Sequence, residues 1–84
     1  MGKAQILYRV YTEEGLDLGP IEEEIKKIPK IIGVKREPIA FGIELLKVGA
    51  LIDDKNDKPE DTENAIAKVK GVKEVETLDI TLIS

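Results

Sequence analysis

The sequence predicts an α+β domain in which one four-stranded antiparallel sheet is covered on one face by two helices. The first observation is the alternation of apolar and polar residues, with a period of two, in the segments expected to be strands. The second is the recurrence of apolar residues every three or four positions in the segments expected to be helices. The third is the length of 84 residues, which suits one domain spanning residues 1–84.

The chain opens with a predicted strand followed by a predicted helix. Residues 3–11 place apolar side chains at alternating positions, which is typical of a strand with one buried face. A helix is expected over residues 18–28, because Asp17 can serve as its N-cap and Pro20 is tolerated in its first turn. Pro29 should end this helix. Its apolar stripe consists of Leu18, Ile21, Ile25 and Ile28.

The middle of the chain predicts two strands separated by a glycine. The second strand is predicted over residues 34–41 and contains Pro38. Because proline has no backbone N–H to donate, we expect this strand to lie at a sheet edge or to bend near Pro38. After Gly42, residues 43–53 predict the third strand, and the polar residues 53–61 predict a loop. The inward positions of the third strand are Leu46, Val48, Ala50 and Ile52.

A second helix and a last strand complete the pattern. The helix is predicted over residues 60–70, with Gly71 where a helix-ending glycine belongs. The last strand is predicted over residues 74–83, with strict alternation of its two faces from Thr77 to Leu82. Strand, helix, strand, strand, helix, strand, with both crossovers on one side, is the order of a ferredoxin-like, or split βαβ, sandwich. Because this fold serves many functions, the functional prediction depends on particular residues.

Two residue types are missing, and their absence excludes several kinds of chemistry. The sequence contains no cysteine and no histidine. Disulfides, thiol catalysis, a Ser-His-Asp triad and zinc held by histidine or cysteine are therefore impossible for these residues. Tyr8 and Tyr11 remain as acid–base candidates beside the carboxylates and lysines, but none of them lies in a catalytic motif. We expect no catalytic residue and no cofactor.

Three aspartates resemble the start of a calcium-binding loop. They are Asp53, Asp54 and Asp57, in the polar segment after the third predicted strand. The glycine and the terminal glutamate that complete such a loop are missing at the expected offsets. We therefore predict no metal site in this segment.

The charge and hydropathy of the chain limit its partners. The net charge is −4, whereas a protein that binds duplex nucleic acid needs a basic face. The most apolar stretch, residues 43–52, is interrupted by Glu44 and Lys47 and is too short to span a bilayer. The first residues lack the long apolar stretch of a signal peptide. We expect a cytoplasmic protein that binds neither nucleic acid nor a membrane.

The segment from Arg36 to Val48 carries a resemblance to a known family. It contains proline, apolar, small, aromatic, glycine and apolar residues in succession, Pro38-Ile39-Ala40-Phe41-Gly42-Ile43, and then enters the third predicted strand. This stretch resembles that of elongation factor 1-beta of the archaeal type. Weaker matches extend over nearly the whole chain, at Asp17-Leu18, Ile28-Pro29, Ile52-Asp53-Asp54-Lys55 and Gly71-Val72.

The resemblance implies a ferredoxin-like fold and a role in translation elongation. Members of this family promote the exchange of GDP for GTP on elongation factor 1-alpha, which they bind in its GDP-bound and nucleotide-free forms. They carry out no covalent chemistry, so the chain is not expected to be an enzyme. In eukaryotic relatives a lysine near the C-terminus is thought to reach the magnesium and phosphate region of the partner. Residues 79–84 contain no lysine, so that role is not carried over.

Five residues are candidates for contact with the partner, namely Pro38, Phe41, Gly42, Ile83 and Ser84. Phe41 is the only phenylalanine, and a large apolar residue is expected to be buried in the core. Gly42 is expected to be a turn residue with unusual backbone angles. Leu82 and Ile83 are also expected to be core residues of the last strand. These expectations leave the turn around Gly42 free to face a partner.

Two alternative functions remain open. The fold, with Gly15 in the loop after the first strand, is also compatible with an ACT-type domain that senses a small molecule at a dimer edge. The missing lysine near the C-terminus is compatible with a module that binds the elongation factor without exchanging its nucleotide. A basic edge for an acidic partner, or simply a solvated helix end, could be formed by Lys26, Lys27, Lys30, Lys35 and Arg36.

Overall fold

Strands and helices follow one another in the predicted order. The structure is a computed structural model, and it describes residues 2–83. Its elements are β1 (Lys3–Thr12), α1 (Leu18–Lys26), β2 (Ile31–Pro38), β3 (Glu44–Asp53), α2 (Pro59–Ala67) and β4 (Val72–Ile83). A short 3-10 turn, Ala40–Gly42, joins β2 to β3.

The four strands form one antiparallel sheet in the order β2-β3-β1-β4. On one side of β1, Lys3 lies opposite Asp53 of β3 and Val10 lies opposite Leu46. On its other side β1 pairs with β4, whereas β2 pairs with β3 at the far edge of the sheet. This topology confirms the ferredoxin-like prediction. It also confirms that the strand containing Pro38 is an edge strand.

Both helices pack on the same face of the sheet, where the apolar core lies. Along β1 and β3, buried residues alternate with more exposed ones over most of each strand, so one face of the sheet is covered. The helices contribute Leu18, Ile21, Ile25 and Ile66 to this core. The two central strands contribute Ala4, Ile6, Tyr8, Val10, Leu46, Val48, Ala50 and Ile52.

The helices begin near the predicted positions but end earlier. The Asp17 carboxylate caps α1, as predicted, by accepting a hydrogen bond from a backbone N–H of the first turn at 3.0 Å. The helix ends at Lys26, and Ile28 instead donates its N–H to the Ile25 carbonyl at 3.0 Å, in a tighter i to i+3 turn. Because Ile28 still packs against the core, the apolar periodicity extends past the helix itself. α2 likewise ends at Ala67 and not at residue 70.

The edge strand β2 lies earlier in the chain than predicted. It runs from Ile31 to Pro38, whereas residues 34–41 were expected. Ile31 packs against the core, so the strand begins as soon as the chain leaves the turn after α1. At the other end, the chain turns directly after Pro38, so Phe41 does not belong to a strand. β4 also begins earlier than expected, at Val72.

The pairing of β4 with β1 is interrupted by an extra residue on β4 at two places, one near Tyr11 and one near Tyr8. Tyr8 lies opposite Thr77, but the preceding residue of β1, Leu7, lies opposite Asp79. Leu78 is therefore the extra residue on β4, and the side chains exchange faces at this point. The strict alternation predicted for this strand is wrong for that reason.

Candidate functional site

The connection between β2 and β3 is a tight turn that holds Phe41 in solvent. The Ile39 N–H donates to the Ile43 carbonyl at 2.8 Å, and the Ile43 N–H donates to the Ala40 carbonyl at 3.3 Å. These two bonds close the backbone around the 3-10 turn. Phe41, at its tip, is 97% exposed. The expectation that Phe41 is a core residue is therefore wrong.

Phe41 and Gly42 both have left-handed backbone conformations. Phe41 has φ of 62° and ψ of 32°, and Gly42 has φ of 74°. Gly42 therefore has the unusual backbone angles that were expected of it. For a bulky residue such as Phe41 this conformation is rare and costs about 1–2 kcal/mol. Strain of this size persists where the surrounding structure imposes it, and it is found disproportionately at binding sites.

Pro38 precedes this turn and ends β2. It lies opposite Glu44, the first residue of β3, so it occupies the last paired position before the chain reverses. Its fixed φ and missing N–H suit a strand end at a sheet edge. Pro38 is exposed, as are Ile39 at 46% and Ile43 at 50%. The turn therefore presents an apolar surface of which Phe41 is the most prominent part.

A groove of about 660 Å³ lies beside the turn. One wall consists of residues 11–16, which leave β1 and approach α1. The other wall consists of Ile39 and residues 42–45, which flank Phe41. Lys73 and Glu74 at the start of β4 complete the lining. The sequence did not point to this groove, because its walls come from three parts of the chain that are brought together only by the sheet.

The C-terminal end of β4 presents a second apolar surface. Ile80, Leu82 and Ile83 are exposed by 49%, 72% and 42%, so the expectation that Leu82 and Ile83 lie in the core is wrong. Ile80 and Leu82 lie opposite Ile6 and Ala4, which are buried, so they share the helix-covered face but extend past its cover. Ser84, the last predicted contact residue, lies outside the described residues.

The structure does not bring the two predicted contact surfaces together. The Phe41 turn lies beyond the end of the sheet where Val10 pairs with Leu46. Ile83 lies at the opposite end, beside Lys3. Val10 and Lys3 are seven residues apart on β1, a separation of roughly 23 Å at about 3.3 Å per residue. One partner can contact both surfaces only by extending along the length of the sheet.

The cations that could have formed a basic edge are mostly paired with carboxylates. Lys27 lies 3.1 Å from Glu24, and Arg36 forms an ion pair with Glu22. The hydrogen bond that Arg36 donates to Glu22 raises the pKa of Arg36. Lys30 lies 3.0 Å from Asp57, and Lys26 lies 3.9 Å from Glu23. Four of the five cations, Lys26, Lys27, Lys30 and Arg36, therefore have a carboxylate neighbour, which favours a solvated edge over a basic docking edge.

The uncovered face of the sheet carries a network of opposite charges. Arg9 on β1 lies 3.3 Å from Glu37 on β2 and 3.9 Å from Glu76 on β4. Lys47 on β3 lies 3.7 Å from Glu37, and the Tyr11 hydroxyl donates to Glu76 at 3.2 Å. The pKa of Arg9 is raised by its neighbours, led by Tyr11. Arg9 and Lys47 therefore both have carboxylate partners on this face.

The aspartates that resemble a calcium loop hold their own turn together. The Asp53 carboxylate accepts hydrogen bonds from the Lys55 N–H at 2.9 Å and from the Asn56 side chain at 3.1 Å. The Asp57 carboxylate accepts from the Asp53 N–H at 2.9 Å and lies 3.0 Å from Lys30. These contacts lower the pKa of Asp53 and that of Asp57, chiefly through the backbone N–H groups. Among residues 2–83, no group of three or more acidic side chains is arranged to hold a metal ion.

Tyr8 has a structural position and not a catalytic one. Its hydroxyl donates to the Pro59 carbonyl at 2.9 Å, which ties the start of α2 to the sheet. Burial raises the pKa of Tyr8 to about 12, so the hydroxyl stays protonated. Its role is to satisfy a polar group inside the core.

Comparison with known families matches residues 5–84 to the EF-1 guanine nucleotide exchange domain. Elongation factor 1-beta of Methanosphaerula palustris is 31% identical over 98% of this chain and 99% of its own length. Elongation factor 1-beta of Aeropyrum pernix is 31% identical over 96% of this chain and 97% of its own length. Elongation factor 1-beta of Methanosarcina barkeri is 38% identical over 76% of this chain and 78% of its own length.

The fold and the exposed turn define a small α+β domain that presents apolar side chains at both ends of its sheet. With the match over residues 5–84, the chain belongs to the EF-1 guanine nucleotide exchange domain family, a family of translation elongation. The predicted family is thereby confirmed. Within residues 2–83, no helix is long and apolar enough to cross a membrane.

Proposed function

We propose that this chain promotes the release of GDP from elongation factor 1-alpha, so that GTP can bind in its place. Family membership over residues 5–84 supports an exchange role. The observation that carries the proposal is the exposure of Phe41 on a closed, strained turn, because a soluble protein gains nothing from a phenylalanine held 97% in water. The proposed setting is the cytoplasm, where translation elongation takes place.

The proposed mechanism is differential binding and involves no covalent step. A factor that binds the nucleotide-free GTPase more tightly than the GDP-bound form weakens GDP affinity by the same ratio. In GTPases of this kind, a lysine of the phosphate loop and Mg²⁺ hold the nucleotide phosphates. Any distortion that the factor imposes on these contacts raises the rate at which GDP leaves. The exchange factor itself then needs neither a nucleophile nor a cofactor.

Phe41 is the proposed anchor of the complex. Large aromatic side chains dominate binding energy when they enter a pocket of the partner. The two backbone hydrogen bonds of the turn hold the backbone of Phe41 in place before binding, so little backbone conformational entropy remains to be lost. Pro38 and Gly42 serve this function indirectly, since they fix the beginning and the end of the turn.

Ile83 is proposed as part of a second contact region at the end of β4, together with Leu82, which points to the opposite face of the sheet. Both are exposed at the far end of β4, and Leu82 is exposed by 72%. In this proposal, Ser84 extends the same contact. Contacts at both ends of the sheet would let the factor hold two parts of the GTPase in a fixed relative orientation. A conformational change imposed between these two parts is a direct way to disturb a nucleotide site.

Release of fluorescently labelled GDP from elongation factor 1-alpha tests the proposal. The wild-type chain should raise the release rate, and Phe41→Ala should weaken binding to the nucleotide-free GTPase by roughly thirty-fold, as expected for an anchor worth about 2 kcal/mol. The matched control is Ile32→Ala, because Ile32 is also a large apolar residue, 58% exposed, but lies at the opposite end of β2. The control should leave both the release rate and the affinity within about two-fold of wild type.

Three outcomes would contradict parts of the proposal. An unchanged GDP release rate at saturating protein, with tight binding, would indicate a docking module without exchange activity. No binding in any nucleotide state, with ligand-induced thermal stabilisation by an amino acid or nucleotide, would favour the ACT-type alternative. Equal losses for Phe41→Ala and Ile32→Ala would show that Phe41 is not the anchor. Unfolding midpoints of both variants should match wild type, since neither side chain is buried.

A further inference from the structure

The groove beside the Phe41 turn combines an apolar floor with an acidic rim. Its floor includes Leu18 and Leu45, which are only 9% and 7% exposed. Ile39 and Ile43, the residues that close the Phe41 turn, lie in its wall. The groove is therefore continuous with the surface that presents Phe41. A partner that docks on Phe41 lies directly over this groove.

The rim of the groove carries an excess of negative charge. Its charged residues are Glu13, Glu14, Glu44 and Glu74, opposed by Lys73 alone. These four carboxylates and one ammonium leave a net charge of −3 around one groove in a chain whose total is −4. The lining of the groove is thus distinctly acidic.

Among residues 2–83, the glutamates of this rim differ from most others in forming no close ion pair. No ion pair within 4.0 Å joins any of the four rim glutamates to another of residues 2–83. By contrast, Glu22, Glu24 and Glu37 each pair with an arginine or lysine. Arg36, close enough for its pKa to respond to Glu44, makes its hydrogen bond with Glu22. The rim therefore attracts a cation from outside the molecule.

We propose that this groove receives a basic side chain, arginine or lysine, of the GTPase that docks on Phe41. The aliphatic stem of such a side chain would lie on the apolar floor, and its charged head would lie among the rim glutamates. This inference rests on the proposed function, because the partner is the same GTPase. The groove would add a second determinant of specificity beside the turn. A partner would then need both an apolar pocket for Phe41 and a cation for the groove, at a fixed distance from each other.

The test neutralises two rim carboxylates without altering the turn. In the double variant Glu13→Gln/Glu74→Gln, the backbone bond from the Glu13 N–H to the Gly71 carbonyl remains possible. The matched control is Glu23→Gln/Glu24→Gln, which makes the same change of net charge at exposed positions on α1. The measurement is the association rate and the affinity for nucleotide-free elongation factor 1-alpha at about 50 mM and about 500 mM salt.

The two double variants should behave differently at low salt only. Loss of the rim carboxylates should slow association and weaken affinity about five-fold at low salt, and the difference from the control should shrink to less than about two-fold at high salt. Equal effects of the two double variants, or a loss independent of salt, would overturn the groove inference. If the wild-type chain does not bind the nucleotide-free GTPase at all, the proposed function fails, and that result is distinct from a failure of the groove.

Discussion

Both ends of the sheet carry carboxylates and exposed apolar residues, but the two ends differ in how firmly these residues are held by the rest of the structure. At the end formed by the loop before α2, the carboxylates of Asp53 and Asp57 accept backbone hydrogen bonds. At the end that presents Phe41, Glu13 and Glu74 line a groove and have no ion pair among residues 2–83. The apolar residues differ as well, because Phe41 is fixed by a closed turn whereas the last residues of β4 simply extend past the helices.

This difference separates carboxylates that stabilise the fold from those that remain available to a partner. A carboxylate that already accepts a hydrogen bond from a backbone N–H, as Asp53 and Asp57 each do, loses that bond if it turns towards an external cation. A carboxylate without such bonds can reorient at little cost. The same reasoning applies to apolar residues, since a side chain held in place before binding loses less entropy on docking. We therefore expect the Phe41 end to contribute more binding energy than the Ile83 end.

The largest expected effect is that of removing both contact surfaces together. Phe41→Ala should weaken GTPase binding roughly thirty-fold and Ile83→Ser about three-fold. Because the two residues are far apart, the double variant should show the product of the single effects, within about two-fold. Titration of the three variants against nucleotide-free elongation factor 1-alpha measures this. If the double variant bound the GTPase with the same affinity as Phe41→Ala, the Ile83 end would not contact the partner.

A smaller effect is expected from the backbone of the turn. Gly42 has φ of +74° and no atom within 4 Å of the position of an added Cβ, so Gly42→Ala introduces strain without a clash. The free energy of unfolding should fall by about 1 kcal/mol. Gly33→Ala is the matched control, because Gly33 has equal space around it and no positive φ. Urea denaturation of both variants should separate them, and equal stabilities would show that the turn is not strained at Gly42.

The smallest expected effect is on the acid sensitivity of stability, through Asp53 and Asp57 at the opposite end of the sheet. Because the folded-state pKa values of Asp53 and Asp57 are lowered, their stabilisation is fully present above the ordinary pKa of 3.8. It is lost as the pH falls through the lowered values. Unfolding midpoints between about pH 6 and about pH 2 should therefore decrease less for Asp57→Asn than for wild type. The exposed Asp54 supplies the control, and an equal change of acid sensitivity in Asp54→Asn would contradict the assignment.

The sequence predicted the fold well because the fold depends on local periodicity. The stripe of α1 and the alternation of β3 are both visible in the chain, and Pro38 correctly indicated an edge strand. Boundaries were less accurate where apolar residues continue past an element, as Ile28 does after α1. The register shift at Leu78 could not be foreseen, because it depends on the pairing of β4 with β1.

The site was predicted only in part, and for a physical reason. The turn around Gly42 was located correctly, but the burial expected of Phe41 reflects an average over apolar residues and not the particular turn. The acidic groove escaped notice because Glu13, Glu44 and Glu74 are distant in sequence and meet only in the folded sheet. The adjacent pair Glu13-Glu14 before Gly15 was the only local signal of it.

The extra residue Leu78 determines which side chains at the end of β4 point towards the helices and which point away from them. Val75 lies with Val10 on the side towards the helices, and beyond Leu78 the even-numbered Ile80 takes that side. If Leu78 were paired in the ladder opposite Leu7, every later residue of β4 would shift by one position, so that Ile83 would point towards the helical layer and Leu82 away from it. A single position in the middle of β4 thus sets the polarity of a surface several residues further on.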